Sequence, residues 1–206
     1  MKKDAKRKKT AAPRGRPRAF DADKALDRAL LVFWRKGYEG ASLSDLTRAM
    51  GINRPSLYAA FGNKEKLFRK ALDLYVGGPA AYVREALKEP TARAGVERLL
   101  SEAACRLSDH RHPRGCLIVQ GALSCGEEAD PVRRELVARR SAGELEIRQR
   151  LVRAKLEGDL PPDSDPADLA RFVTAVIHGM AVQATGGAGQ EELQGIVRTA
   201  LRAWPQ

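Results

Sequence analysis

The chain has 206 residues, of which 31% are charged and 5% are aromatic, and its formal net charge is +11. This length allows one large or two small domains. No apolar run of eighteen residues occurs, which excludes a transmembrane helix. The basic start is not followed by the apolar segment of a secretory signal, and three cysteines do not suit a disulfide framework. We therefore expect a cytoplasmic protein.

The positive charge is concentrated at the start of the chain. Residues 1–18 hold nine Lys or Arg against Asp4 alone, and the first 64 residues carry nearly all of the net charge. The polar composition predicts a disordered basic arm over residues 1–19. Such asymmetry indicates an end that binds a polyanion, with binding that weakens as salt rises. Within the arm, Arg16 and Arg18 are candidates for insertion into a DNA minor groove.

The next segment predicts a first helix. It begins at Asp21 or Asp23 and places Leu30 and Phe33 along one apolar stripe. Gly37 is expected to end it, and a loop leads on to Ser42.

Two short helices separated by a tight turn are predicted over residues 42–64. Ser42 and Asp45 have the spacing of a capping box, which predicts a helix over residues 43–50. Gly51 suits the left-handed position after a helix, and Asn53 can cap a second helix. A helix, a glycine turn and a second helix are typical of a helix-turn-helix unit with its recognition helix second.

The outward residues of this unit indicate a DNA-binding surface. They can all donate to phosphates or base edges, and none is a carboxylate: Ser42, Ser44, Arg54, Ser56, Tyr58 and Lys64. The alternative is two packed helices inside an all-helical domain.

The rest of the chain predicts more helices, which makes the fold class all-α. Helices are expected from residue 63, broken by Gly77-Gly78-Pro79 and resumed to about 88, and then over residues 91–109 and 131–157. The uncharged stretch 116–125 is expected to be buried. The predicted domains are a helix-turn-helix head over residues 20–64 and a larger helical effector-binding and dimerisation domain over residues 65–206.

The last two predicted helices have broad apolar faces joined by a glycine-rich linker. A hairpin of two such helices leaves apolar surface that a second chain can cover in a four-helix bundle. We therefore expect a homodimer, the alternative being a buried terminal helix in a monomer. The expected interface residues are Phe172, Val176, Met180, Ile196, Val197, Leu201 and Trp204.

The segments GRPRAFD and WRKGYEGASLSDLTRAMGINRPSLYAAFGNKEKLF resemble the TetR family of bacterial transcriptional regulators, over about residues 15–70. By position, the resemblance implies that Ser42 and Lys64 hold phosphates. It also implies that DNA faces the first part of the second helix: Arg54, Pro55, Ser56 and Tyr58. Ala59 and Ala60 depart from the family's usual aromatic or His pair, which puts base readout there in doubt, although small contacts to thymine methyl groups suit them.

The resemblance also implies a homodimeric repressor that leaves a palindromic operator when an effector binds in its C-terminal domain. A mostly apolar lining, with Gln120 as its polar group, favours a small hydrophobic effector. The expected lining residues are Tyr75, Leu100, Cys116, Gln120 and Ile147.

The sequence also has features that are compatible with other functions. Cys116, near Arg114 and a helix start, could sense oxidants or electrophiles, although an uncharged surrounding is also typical of a core cysteine. A metal site at Asp109, His110 and His112 is disfavoured because no second ligand cluster is visible. No catalytic or cofactor-binding motif occurs, so neither an enzyme nor a cofactor is expected. The basic arm leaves a non-specific nucleic-acid packaging protein as the alternative from another class.

Overall fold

The structure is a computed structural model that describes residues 20–121, 126 and 129–205. The predicted basic arm with Arg16 and Arg18, and Cys125 in the uncharged stretch, lie outside the described residues. The described residues form helices and loops without a strand, which confirms the all-α class. In chain order the helices are α1 (Ala22–Gly40), α2 (Leu43–Met50), α3 (Arg54–Phe61), α4 (Lys64–Gly77), α5 (Tyr82–Ala86), α6 (Ala92–Ser108), α7 (Leu117–Gln120), α8 (Asp130–Leu156), α9 (Pro166–Thr185) and α10 (Gln190–Arg202).

The head consists of α1, α2 and α3 packed around a small core. Asp21 caps α1 by accepting backbone N–H groups of the first turn, and Gly37 interrupts the helix with φ 69° before helical turns continue to residue 40. The predicted end at Gly37 is therefore a kink. Phe33, Leu46 and Leu57 have at most 1% of their surface exposed, so all three helices contribute to one core.

The core of the head continues into the segment beyond residue 64. Phe68 on α4 packs edge-on against Phe33, with ring centroids 4.9 Å apart. The same cluster of buried residues includes Leu117, Val132 and Leu136, from α7 and α8. A domain boundary after residue 64 stays a prediction, and packing is continuous across it.

The helical segment after the head is broken where the glycines and proline occur. α4 ends at Gly77, and the cap Gly78 donates its N–H to the carbonyl of Leu74 at 3.0 Å. Turns lead to α5, which ends at Ala86, slightly before the expected residue 88. The break therefore lies where the sequence predicts it.

The body is built around α6, which packs against both α9 and α10, while α8 packs along α9. Leu99, Leu100 and Leu151 are fully buried there. Among the arginines of α8, Arg150 is only 6% exposed and donates to the carbonyls of Glu89 and Pro90, both at 3.0 Å. Its long side chain closes the loop before α6. Among the described helices, none combines the length and the hydropathy that a membrane span requires.

The final hairpin buries more of its apolar surface within its own chain than the sequence suggested. Met180, Val197 and Trp204, expected at a dimer interface, are at most 3% exposed and belong to the core of the body. Phe172 is 37% exposed, whereas the other expected interface residues are half-buried: Val176, Ile196 and Leu201. The surface that remains for a partner is therefore narrower than expected.

Candidate nucleic-acid interface

The start of α2 is fixed by hydrogen bonds between neighbouring residues. Ser42 Oγ accepts the backbone N–H of Asp45 at 3.0 Å, and Asp45 Oδ2 accepts the backbone N–H of Ser42 at 3.2 Å. The Ser42 hydroxyl also donates to Asp45 Oδ2 at 2.7 Å. The predicted capping box is thus present, and the hydroxyl proton of Ser42 is directed at Asp45.

A left-handed glycine makes the turn between α2 and α3. Gly51 has φ 70° and ψ 32°, a conformation that costs glycine little because it has no Cβ. The N–H of Ile52 donates to the carbonyl of Thr47 at 3.1 Å, which closes the end of α2. Asn53 Oδ1 then accepts the N–H of Ser56 at 2.9 Å and caps α3. The angle between the two helices is therefore set by local bonds.

The recognition helix presents its first turn to solvent. Leu57 and Phe61 are buried and hold α3 against the head, while Arg54 is exposed and Tyr58 has 47% of its surface exposed. Pro55 is also exposed, and Ser56 is half-buried. The first turn of α3 contains no acidic residue, so its positive dipole end is left without a neighbouring carboxylate in that turn.

The interface carries little negative charge. Asp45 is the sole acidic residue between 42 and 64. The Ser42 hydroxyl and then Lys36, whose Nζ lies 3.0 Å away, lower the pKa of Asp45 to about 2. Arg54 Nη2 donates to Ser44 Oγ at 3.1 Å and joins the starts of the two helices. The outer surface thus keeps positive charge at its centre.

Lys64 lies at the edge of this surface and is half-buried. Its Nζ is 4.5 Å from the centroid of the Tyr38 ring. Burial lowers the pKa of Lys64, and the nearby Glu39 opposes this change. Lys64 is therefore positioned by the end of α1.

A small cavity in the body brings together part of the predicted effector site. This inner cavity has a volume of about 110 Å³ and is lined by Tyr75, Cys116 and Ile147, as expected. Burial, and then the neighbouring Cys116 thiol, raise the pKa of Tyr75 well above its ordinary value. The two side chains thus bring a phenol and a thiol together on one part of the wall.

Two residues expected in the effector site lie elsewhere. Leu100 is fully buried in the core of the body and does not line the inner cavity. The Gln120 amide donates to the carbonyl of Arg114 at 3.2 Å and to the Thr185 hydroxyl, so it ties the loop to α9. Their assignment to the effector site stays a prediction that the inner cavity does not support, since hydrophobic periodicity cannot tell a core position such as Leu100 from a cavity wall.

Other lining residues of the inner cavity were missed by the sequence reasoning. Tyr82, Thr174 and His178 line it from α5 and α9. The Thr174 hydroxyl is buried and has no hydrogen-bond partner among the described residues. No local motif signals these positions, because the cavity forms only when distant helices pack.

The residues of the disfavoured metal site have separate partners. Asp109 accepts from the Arg111 guanidinium at 2.8 Å, and the His112 ring is stacked on Trp34 with centroids 5.9 Å apart. In the part of the chain that the structure describes, no three metal-ligating side chains form a cluster.

Both halves of the chain match family models of known proteins. Residues 25–71 match the family model described as bacterial regulatory proteins, tetR family, and residues 92–201 match the tetracyclin repressor-like C-terminal domain. The chain is 36% identical over 195 residues to the HTH-type transcriptional repressor ComR of Escherichia coli strain K12, covering 94% of this chain and 93% of ComR.

Solved structures give the same similarity. One contains a cysteine mutant of the TetR family transcriptional regulator CifR in complex with 26-bp double-strand operator DNA. The CifR chain in that complex is 49% identical in sequence to this chain. The match covers 93% of this chain and 100% of the CifR chain, with a TM-score of 0.90. The TetR family regulator PfmR from Thermus thermophilus is 26% identical, covers 89% of this chain and 97% of that chain, and has a TM-score of 0.66.

Proposed function

Because the chain belongs to the TetR family of bacterial transcriptional regulators, we propose that it is a dimeric repressor that binds a palindromic operator and leaves it when a small hydrophobic effector binds. The observation that carries the DNA-binding role is the exposed first turn of α3. Arg54 and Tyr58 project there from a helix whose other side is anchored by Leu57 and Phe61. The DNA complex of the similar protein CifR supports the same role.

The contacts with DNA are assigned by chemistry and exposure. Arg54 is suited to the O6 and N7 acceptors of guanine, and its bond to Ser44 would be exchanged for them. Pro55, Ser56 and Tyr58 contact the groove or its backbone, and Ala59 contacts thymine methyl groups. Arg16 and Arg18 enter the adjacent minor groove from the arm.

Phosphate contacts come from the edges of the same surface. Ser44 and Lys64 have donors that can reach a phosphate. The Ser42 hydroxyl has to leave the Asp45 carboxylate before it can donate to DNA, so its first role is that of a helix cap.

Dimerisation is assigned to the outer side of α9. Phe172, Ala175, Gly179 and Val182 are all exposed and recur at a spacing that places them on one side of the helix. Val176, Ile196 and Leu201 flank this stripe as half-buried residues. A second copy covering it would hold two α3 helices in a fixed register, as two adjacent major grooves roughly 34–36 Å apart require.

The effector is assigned to the inner cavity. Its lining is mostly apolar, and its volume of about 110 Å³ is below the ~150 Å³ of apolar cavities that bind benzene. An effector no larger than benzene, with one polar group for the Thr174 hydroxyl or for Tyr75 and Cys116, fits this space. The effector binds the conformation that does not fit DNA more tightly than the one that does. This difference in affinity sets how far the effector can lower operator affinity.

Selection of duplexes from a random pool by the full chain tests the proposal. We expect a palindromic consensus, and an affinity for it about 10³–10⁷ times that for random duplexes at the same salt concentration. A ratio near one would instead support a nucleic-acid packaging protein.

Cysteine sensing is the second candidate function, because the Cys116 thiol lines the inner cavity beside Tyr75. In this mechanism the thiolate sulfur bonds to an electrophilic carbon, and the electron pair of the broken bond goes to the leaving atom. The test is operator affinity before and after labelling with iodoacetamide, with Cys116→Ser and Cys105→Ser compared. A loss of affinity that Cys116→Ser alone prevents would support the sensor, and unchanged affinity after complete labelling would eliminate it.

A further inference from the structure

A groove on the surface between α8 and α9 adjoins the inner cavity. This side groove has a volume of about 280 Å³. Four side chains line both spaces: Arg140, Glu144, Thr174 and His178. The first two are one turn apart on α8 and the last two are one turn apart on α9, so two pairs line the contact between these helices. The inner cavity and the side groove therefore meet at these four residues, which form a shared wall.

The two spaces differ in polarity. Beyond the shared wall, the inner cavity continues into a mostly apolar space, which Val83 and Ile177 help to line. The side groove instead reaches Arg171, which is paired with Asp168, and Ala175 on the outside of α9. Because Ala175 belongs to the stripe assigned to dimerisation, a second copy would cover the outer mouth of the groove. A molecule that spans both spaces therefore needs an apolar end and a polar end.

The Thr174 hydroxyl differs from those of other threonines in the final hairpin. Thr185 and Thr199 donate to the carbonyl groups four residues earlier, at 2.8 and 3.1 Å. The Thr174 hydroxyl is buried and has no hydrogen-bond partner among the described residues. Because a buried hydroxyl without a partner costs free energy, a ligand that bonds to Thr174 gains affinity.

The charged groups of the shared wall are not paired with each other. Arg140 donates from Nη1 to the carbonyl of Ile118 at 3.0 Å and forms no salt bridge with a described residue. Neither Glu144 nor the His178 ring makes a hydrogen bond or a salt bridge within the described part of the chain. The shared wall thus offers one positive and one negative group to a ligand.

The two charges act on the same imidazole. Burial lowers the pKa of His178, the charge of Arg140 lowers it further, and the charge of Glu144 raises it. Both charged groups therefore lie near His178, and their charges offset each other. A charged ligand would be attracted by one group and repelled by the other. A neutral ligand that has both a donor and an acceptor can bond to both groups.

We propose that the inner cavity and the side groove form one effector site, which takes a short-chain primary carboxamide. This inference rests on the effector role proposed above. The carbonyl oxygen of the amide would accept from Arg140 and from the Thr174 hydroxyl, and its NH₂ group would donate to Glu144. An apolar tail of about four carbons would lie in the inner cavity, whose volume is below that of cavities that bind benzene.

The test is isothermal titration calorimetry of the full chain, without DNA, near pH 7. Three ligands with tails of similar length are compared: pentanamide, pentanoate and pentylamine. We expect one pentanamide per chain, bound about tenfold or more tightly than either charged ligand, because each of those meets one like charge at the shared wall. Equal affinity for the three ligands, or no binding of pentanamide, would overturn the proposal.

Two variants should change which ligand is preferred. Glu144→Gln leaves Arg140 unopposed and should favour pentanoate, whereas Arg140→Gln leaves Glu144 unopposed and should favour pentylamine. Arg148→Gln is the control, because this exposed arginine of α8 lines neither space, and it should keep pentanamide preferred. An unchanged order of affinities in both wall variants would refute recognition by the charged pair. Circular dichroism checks that each variant folds.

A third variant tests whether the tail occupies the inner cavity. Ile177 lines the inner cavity and not the side groove, so Ile177→Phe takes up the space of the tail and should weaken pentanamide binding about tenfold or more. Unchanged affinity would show that the two spaces do not form one site. None of these titrations contains DNA, so failure of this ligand class is distinct from failure of the repressor role, which duplex selection tests.

Discussion

The head and the body differ in what holds their helices in place. In the head, Asp21, Ser42 and Asn53 each bind backbone N–H groups two or three residues ahead, so every helix begins at its own cap. In the body, α4, α6 and α9 also begin at side-chain caps, but α5, α7 and α8 have none and are placed by packing against distant helices. The DNA-binding surface is therefore encoded locally throughout, whereas the effector space also depends on helices that only the whole assembly holds in place.

Removing a large side chain at the junction of the two regions should have the largest effect. Phe68→Ala deletes a fully buried ring that packs against Phe33 and Tyr38, and we expect a loss of about 3–5 kcal/mol in the free energy of unfolding. Chemical denaturation measures this loss. Leu99→Ala, in the core of the body, is the matched control and should cost about 2–5 kcal/mol.

Hydrogen exchange in the same two variants tests whether the head and the body unfold independently. If the regions unfold as different units, Phe68→Ala should weaken the protection of head amides against hydrogen exchange more than that of body amides, and Leu99→Ala should do the reverse. Uniform weakening by both variants would show that the regions unfold as one.

Breaking the proposed dimer should leave the protomer intact. A Cβ added at Gly179 meets nothing within 4 Å beyond its own helix backbone, and the position is exposed, so Gly179→Arg is compatible with the single chain while placing a charge on the apolar α9 stripe. We expect a monomer in analytical ultracentrifugation. We also expect a loss of about 10²–10⁴-fold in affinity for the full palindrome, because the second half-site is no longer tethered. Ala138→Arg adds the same charge on α8, and an equal loss there would contradict the assignment.

Removing one cap should have a smaller effect that is confined to the head. Ser42→Ala should cost about 0.5–2 kcal/mol of unfolding free energy. It should also raise the pKa of Asp45, because the Ser42 hydroxyl is the main cause of its value of about 2. Since the folded pKa is lowered, the ionised form favours folding above pH 3.8, and this contribution is lost as pH falls through 2. An NMR titration of Asp45 measures the change, with Ser44→Ala as control.

The smallest expected effect is a pH dependence in the body. Burial, and then the charge of Arg140, lower the pKa of His178. Because the unfolded chain then binds a proton more readily than the folded chain, stability should fall as pH drops below 6.5. His178→Gln should reduce this slope in thermal unfolding, whereas the exposed His110→Gln should not. A slope unchanged in His178→Gln would contradict the assignment.

The difference between local caps in the head and long-range packing in the body also explains which features can be predicted from the sequence. The capping box at Ser42, the left-handed Gly51 and the Asn53 cap are short-range patterns, and each was confirmed with its helix bounds. Met180, Val197 and Trp204 were assigned to a dimer interface because periodicity marks an apolar face without saying what covers it. The sequence likewise predicts Gln120 in the cavity, whereas the buried Thr174 hydroxyl, which has no hydrogen-bond partner among the described residues, lines it instead.

Arg54→Ala is the most direct test of whether the exposed turn of α3 reads DNA. On the duplex selected from a random pool, we expect affinity to fall by about 1–3 kcal/mol per half-site, with discrimination reduced at one base position of each half. The control Arg93→Ala removes the same charge from α6 and should leave both affinity and discrimination unchanged. Equal losses in the two variants, or unchanged discrimination in Arg54→Ala, would contradict the account.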